Sequence, residues 1–235
     1  MFEPFYTVCR VLHVGGGWLA FAVAPLALGA PKGSPRHILA GRCFVVGMGT
    51  GAMAGVLLAV IRSDFVLDLF LLGLITLFFV ATGYLAPRIG RGSRRSYQWD
   101  RALTVAGFLA SLCLIGSGLR QTTVAAPVQE GVVLGGLGLW VALAHARWRG
   151  PADPSRWRVE HLTSLLAAYT VTWSFILILY IQALPMSARL LIPAAGGIGA
   201  LSWARRRFGR AATDRDRAAA ALDEEHRKPH ERVWE

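Results

Sequence analysis

The chain has 235 residues, of which 54% are hydrophobic and 17% are charged, and its formal net charge is +11. Soluble domains carry about 25% charged residues. A basic chain can indicate nucleic-acid binding, but here the arginines stand at the ends of long apolar runs, which is typical of membrane topology. The composition therefore argues against a nucleic-acid partner and predicts an integral membrane protein whose main contact is the lipid bilayer.

Seven apolar runs follow one another along the chain. An uncharged helix of about 20 residues crosses the ~30 Å hydrocarbon core with every backbone group paired internally. The runs therefore predict an all-α bundle of about seven transmembrane helices that occupies residues 1–204. The predicted spans are 6–29, 43–61, 65–86, 102–119, 130–146, 161–183 and 187–204.

The basic residues predict the orientation of this bundle. With seven spans, 21 of the 25 Lys and Arg residues fall in the loops and tail on one side. Loops rich in Lys and Arg stay in the cytoplasm. The expected topology places the N-terminus outside and the C-terminus in the cytoplasm, in a multi-pass protein of the bacterial inner membrane.

The last segment, 205–235, is predicted to be a charged cytoplasmic tail. Thr213 or Asp214 can cap a short helix that runs to Arg227 and ends before Pro229. The segment has almost no apolar face. We expect it to be partly helical and to offer a surface to other subunits of a membrane complex.

Span two carries glycines at helical spacing, namely Gly47, Gly51 and Gly55. Helices associate in lipid through close backbone approach at small residues. The ridge predicts packing within the chain, and the alternative is a contact with a partner subunit.

Two ionisable residues are expected near the outer face, where intramembrane charge marks functional candidates. If spans one and three are neighbours, His13 and Asp68 lie at similar depth and can form a metal or proton site. The alternative is a histidine whose ring is satisfied by a backbone carbonyl.

Three further histidines are expected near the inner face. His37 is placed in the first loop, His145 closes span five and His161 opens span six. His145 and His161 would face each other across a helical hairpin, and neutral imidazoles can ligate a metal or a b-type haem. The alternative is that these histidines, His145 above all, sit at the headgroup level as interface residues.

Span six is unusually polar for a membrane helix. His161, Thr163, Ser164, Tyr169 and Thr170 place polar groups on two of its faces. This pattern predicts a helix in the middle of the bundle that faces a cavity or a cofactor. The alternative is hydrogen bonding between helices by Ser and Thr.

A family resemblance rests on three motifs in the body of the chain. His13 precedes glycines, a K-G-x-x-x-H-x-x-x-G-R segment covers Lys32 to Arg42, and an H-x-x-x-x-x-A-A-Y segment covers His161 to Tyr169. Together they resemble a group of bacterial multi-pass membrane proteins known only by a membrane domain of unassigned function. The resemblance covers residues 7–183 and implies that His13, His37, Arg42 and His161 are motif positions, without implying a reaction.

Function follows less directly from these observations. The sequence has no phosphate loop, no G-x-S-x-G, no H-E-x-x-H and no C-x-x-C-H, so the question of catalysis stays open. The leading hypothesis is a redox-linked module that binds haem b, a metal ion or a quinone through His37, His145, His161, Arg42 and Tyr169. The alternatives are an accessory subunit of a respiratory or photosynthetic complex, and a small-molecule transporter.

Overall fold

The computed structural model describes residues 3–61, 66–120, 125–147, 156–185, 187–200, 202 and 206. This part of the chain is helical and contains no strand. The tail predicted over 205–235 lies outside the described residues except at position 206. The helices are α1 (Glu3–Gly29), α2 (Pro35–Ile61), α3 (Leu67–Ile89), α4 (Arg94–Arg120), α5 (Ala125–Arg147), α6 (Arg156–Tyr180) and α7 (187–200).

Five of these helices are long and apolar enough to cross a membrane: α1, α2, α3, α4 and most of α6. The apolar part of α5, Gly131–Ala146, is shorter than these five helices. The prediction of a multi-pass all-α membrane protein is therefore confirmed in its coarse form.

Four helices, α2, α4, α5 and α6, begin five to eight residues before the predicted spans. α2 starts eight residues earlier than expected, at Pro35, and it includes His37 and Arg42. α4 likewise starts at Arg94 and α6 at Arg156. A 27-residue helix is about 40 Å long, which exceeds the ~30 Å hydrocarbon core. His37 therefore lies in the first turn of a helix and not in a loop, because helical hydrogen bonding continues where hydropathy has already fallen.

The glycine ridge of α2 packs against α1. A Cβ atom at Gly47 would lie 2.9 Å from the carbonyl oxygen of Gly16, and one at Gly16 would lie 2.6 Å from the carbonyl oxygen of Gly47. A Cβ at Gly51 would also meet the α1 backbone, at 3.2 Å from the His13 carbonyl oxygen. In this structure the ridge serves packing within the chain, and the two helices approach at backbone distance.

The helix at the centre of the bundle is α3, where the sequence pattern had indicated α6. α3 packs against α2, α4 and α6, and it contributes more buried side chains to the core than any other helix, among them Ile75, Phe78 and Phe79. α6 lies mainly against α3 and meets α1 and α5 more lightly. Its buried hydroxyls bond largely to carbonyls of their own helix, as Thr163, Thr170 and Ser174 do, so its polar faces do not require a central position.

Candidate functional site

His37 is fixed at the C-terminal end of α1 by a carbonyl that a proline leaves without a helical partner. Ser34 precedes α2, and its Oγ accepts the backbone N–H of His37 at 3.2 Å, as an N-cap does. The His37 Nδ1–H donates to the carbonyl oxygen of Ala27 at 2.8 Å. In a helix that oxygen would accept from the residue four positions on, which is Pro31 and has no N–H. The imidazole supplies the missing donor.

His161 uses the same device on a different helix. Its Nδ1–H donates to the carbonyl oxygen of Gly83 at 2.7 Å. The helical partner of that oxygen is Pro87, which lies inside α3 and cannot donate. Gly83 also permits the close approach of α6, because a Cβ atom there would lie 2.7 Å from Leu165 Cδ2.

The two imidazoles meet between α2 and α6. Their ring centres are 6.5 Å apart and their planes are inclined by 70°. A carbonyl can only accept, so the proton of each neutral ring is on Nδ1 and the lone pair is on Nε2. A backbone carbonyl that orients the second ring nitrogen is the usual support of a metal-ligating histidine. The arrangement thus presents two oriented imidazoles in their ligating tautomer.

The ring-centre distance of the pair can be compared with that of two imidazoles bound to one metal ion. Metal–imidazole bonds of about 2.0–2.1 Å put ring centres about 6.4 Å apart in a linear arrangement and only about 5.2 Å apart at a tetrahedral angle. The observed 6.5 Å matches the linear case. Within the described ranges, no group of three or more His, Cys, Asp or Glu side chains could hold a metal ion, so the pair would supply two protein ligands.

Lys32 brings a positive charge to this end of the bundle. Lys32, in the turn between α1 and α2, donates its ammonium to the carbonyl oxygens of Ala27 at 3.3 Å and Leu28 at 3.0 Å. Its charge is close enough to act electrostatically on His161. Arg42, one of the predicted site residues, is on α2 and exposed.

Aromatic rings from α1, α2 and α6 form a cluster about two helical turns from the pair. Tyr169, another predicted site residue, has ring centres of Phe44 and Phe21 at 6.4 Å and 6.1 Å. Trp173 continues the cluster, 5.0 Å from Phe21. Tyr169 lies two helical turns beyond His161, about 12 Å along α6, so the structure does not bring it into contact with the histidine pair.

His145 occupies a different place from the one predicted for it. Its ring is buried and lies 6.1 Å from Phe78 of α3, with Nδ1 3.3 Å from the carbonyl oxygen of Val141 in its own helix. The structure brings His161 to His37 instead, and both α2 and α6 pack against α3.

The predicted outer pair is also separated. His13 donates from Nδ1 to the carbonyl oxygen of Gly51 at 2.8 Å, which matches the alternative of a histidine satisfied by backbone. Asp68 accepts from the Ser117 hydroxyl of α4. α2 stands between α1 and α3, so His13 and Asp68 lie on helices that are not close neighbours.

Two features of the site were missed in the sequence although a signal was present. Each histidine of the pair bonds a carbonyl four residues before a proline, and both prolines, Pro31 and Pro87, are readable in the sequence. A carbonyl orphaned in this way near the membrane interface needs an external donor. Lys32 was recognised only as a motif position.

Comparison of the chain with protein-family models, with curated proteins and with solved structures finds no match.

Proposed function

We propose that this protein is a redox-linked membrane module that holds the iron of a b-type haem between His37 and His161. The observation that carries the proposal is the pair of imidazoles 6.5 Å apart, each with Nδ1 bound to a backbone carbonyl. Two histidines are the protein ligands of many membrane haems, and the macrocycle completes the coordination. If bound, the haem would supply one-electron chemistry, and His37 and His161 would hold its iron.

The test is an absorption spectrum of the full-length protein purified in mild detergent and titrated with haem. We expect a Soret band in the wild type and the spectrum of a six-coordinate haem. His37→Ala and His161→Ala each remove one imidazole ligand. Each should weaken haem binding by at least about tenfold, because one bond to the iron is lost.

His13→Asn is the matched control, because His13 in the N-terminal half of α1 also bonds a backbone carbonyl through Nδ1 and lies away from the pair. It should leave the spectrum unchanged. A wild type that binds no haem, or a His161→Ala protein with an intact spectrum, would overturn the proposal. Elemental analysis and extraction of bound lipids then separate the two other ligand classes, a bare metal ion and a quinone.

We further propose the topology that the basic residues support. All seven helices cross the bilayer, the N-terminus is outside, and the charged tail is in the cytoplasm of a bacterial cell. The inner end of α1, Lys32 and the histidine pair then lie at the cytoplasmic side.

A second candidate function is an accessory subunit of a larger membrane complex. It is favoured by the exposure of α1, because only 11% of the apolar stretch of this helix is buried inside the protein. Because α1 already covers the glycine ridge, a partner would bind the side of α1 that faces away from the bundle, or the tail. Purification in mild detergent tests this function, which requires companion subunits to elute with the protein.

A further inference from the structure

The turn between α1 and α2 places a second functional group beside the histidine pair. Lys32 Nζ and His37 Nδ1 donate to the same oxygen, the carbonyl of Ala27, over 3.3 Å and 2.8 Å. The two nitrogen atoms are therefore no further apart than these two distances together. The carbonyl group of Ala27 therefore orients the His37 ring and also holds the Lys32 ammonium beside it.

The Lys32 ammonium has one N–H donor that can bind an anion. An ammonium group has three N–H donors, and two of them point to the carbonyl oxygens of Ala27 and Leu28. Among the described residues no carboxylate is placed against it, and the side chain is exposed. Nearby protein atoms displace part of its water, and this burial lowers the pKa of Lys32 below its usual value. An anion in contact with the third N–H would offset that cost.

We infer that Lys32 binds a carboxylate of the ligand held by His37 and His161, so that the site takes a metal-centred ring with acidic side chains in preference to a bare metal ion. The inference rests on the function proposed above and deepens it. Haem b carries two propionate groups, and Lys32 would be the residue of this turn that holds one of them. Charge-assisted hydrogen bonds of this kind are about twice as strong as neutral ones.

The alternative role for Lys32 is a purely structural cap on the last carbonyls of α1. Lys32→Gln separates the two roles, because an amide can still donate to those carbonyls but has no charge. Lys32→Arg keeps the charge. Lys228→Gln changes the other lysine of the chain, in the predicted tail, and serves as the matched control.

The experiment titrates the purified full-length proteins with haem b and with its dimethyl ester, in which both propionates are neutral. We expect the wild type to bind haem b about tenfold more tightly than the ester. Lys32→Gln should lose this preference with little change in thermal stability, while Lys32→Arg and Lys228→Gln should keep it.

Equal affinity of the wild type for both forms, or an undiminished preference in Lys32→Gln, would show that Lys32 only caps the helix. Binding of neither form would overturn the proposed function and this inference together. The two failures are therefore distinguishable in one set of titrations.

Discussion

Three consecutive glycines in α1 have unequal surroundings. A Cβ atom at Gly16 would be 2.6 Å from the Gly47 carbonyl oxygen and 2.9 Å from the Gly51 nitrogen, whereas one at Gly15 or Gly17 would meet nothing within 4 Å. The neighbouring atoms are backbone and cannot move aside without separating the helices. Only the middle glycine is therefore required for the contact between α1 and α2.

Gly16→Ala should destabilise the folded protein by about 1–3 kcal/mol, the usual cost of overpacking. Gly15→Ala should be neutral or stabilise by about 0.5–1 kcal/mol, because alanine is the better helix former. Thermal unfolding in detergent, followed by circular dichroism, measures both. Equal effects of the two substitutions would mean that α1 and α2 do not meet at Gly16.

The sequence predicted which histidines belong to the candidate site better than it predicted which side chains they contact. The motif positions His37 and His161 could be named in advance, and they do meet. Their partners could not, because the pairing of His37 with His161 depends on which faces of α2 and α6 point toward each other. A hydropathy pattern does not contain that rotation, and so His145 was paired with His161 and His13 with Asp68.

At the scale of the helix, the positions of the prolines decide where side chains can attach to backbone. Pro87 interrupts the hydrogen-bond ladder of α3 at Gly83, and His161 of α6 takes the freed carbonyl. The proline thereby ties two helices at the site. Helix boundaries were predicted less well than helix existence, because α2 and α4 extend past the apolar region into arginine-bearing turns.

Pro87→Ala restores an N–H that competes with His161 for the Gly83 carbonyl. The ligand-free protein should become more stable, by up to about 3 kcal/mol for removal of a proline from a helix. Haem affinity should nevertheless fall about tenfold, as is usual when the orienting partner of a ligating histidine is disturbed. Pro25→Ala is the control: it repairs α1 at Phe21, away from the pair, and should raise stability without changing the affinity. An unchanged affinity in Pro87→Ala would contradict the role of the freed carbonyl.

For the molecule as a whole, the asymmetry of basic residues is the strongest topological signal. The 21 basic residues assigned to one side include Lys32 and the nine of the tail, against four on the other side. The apolar helices alone are symmetric with respect to the bilayer, so their structure does not determine the orientation. The distribution of basic residues predicts the orientation in the membrane, which helix packing does not determine.

Reporter fusions in a bacterial host measure this orientation. A fluorescent protein fused after Glu235 should be bright, and alkaline phosphatase inserted after Gly33 or Gly92 should be inactive, because both turns are expected in the cytoplasm. Phosphatase inserted at position 122 should be active. The opposite pattern would place the histidine pair at the outer face and reverse the proposed topology.

The two histidines that meet at the site are 124 positions apart in the chain, and this separation has a consequence for biosynthesis. A ribosome that adds about 5–20 residues per second needs about 6–25 s to proceed from the first to the second. During that interval α2 is already made while the helix that completes the site is not. If the pair binds a metal centre as proposed, loading would follow the integration of α6, because His161 is the later of the two residues to be made.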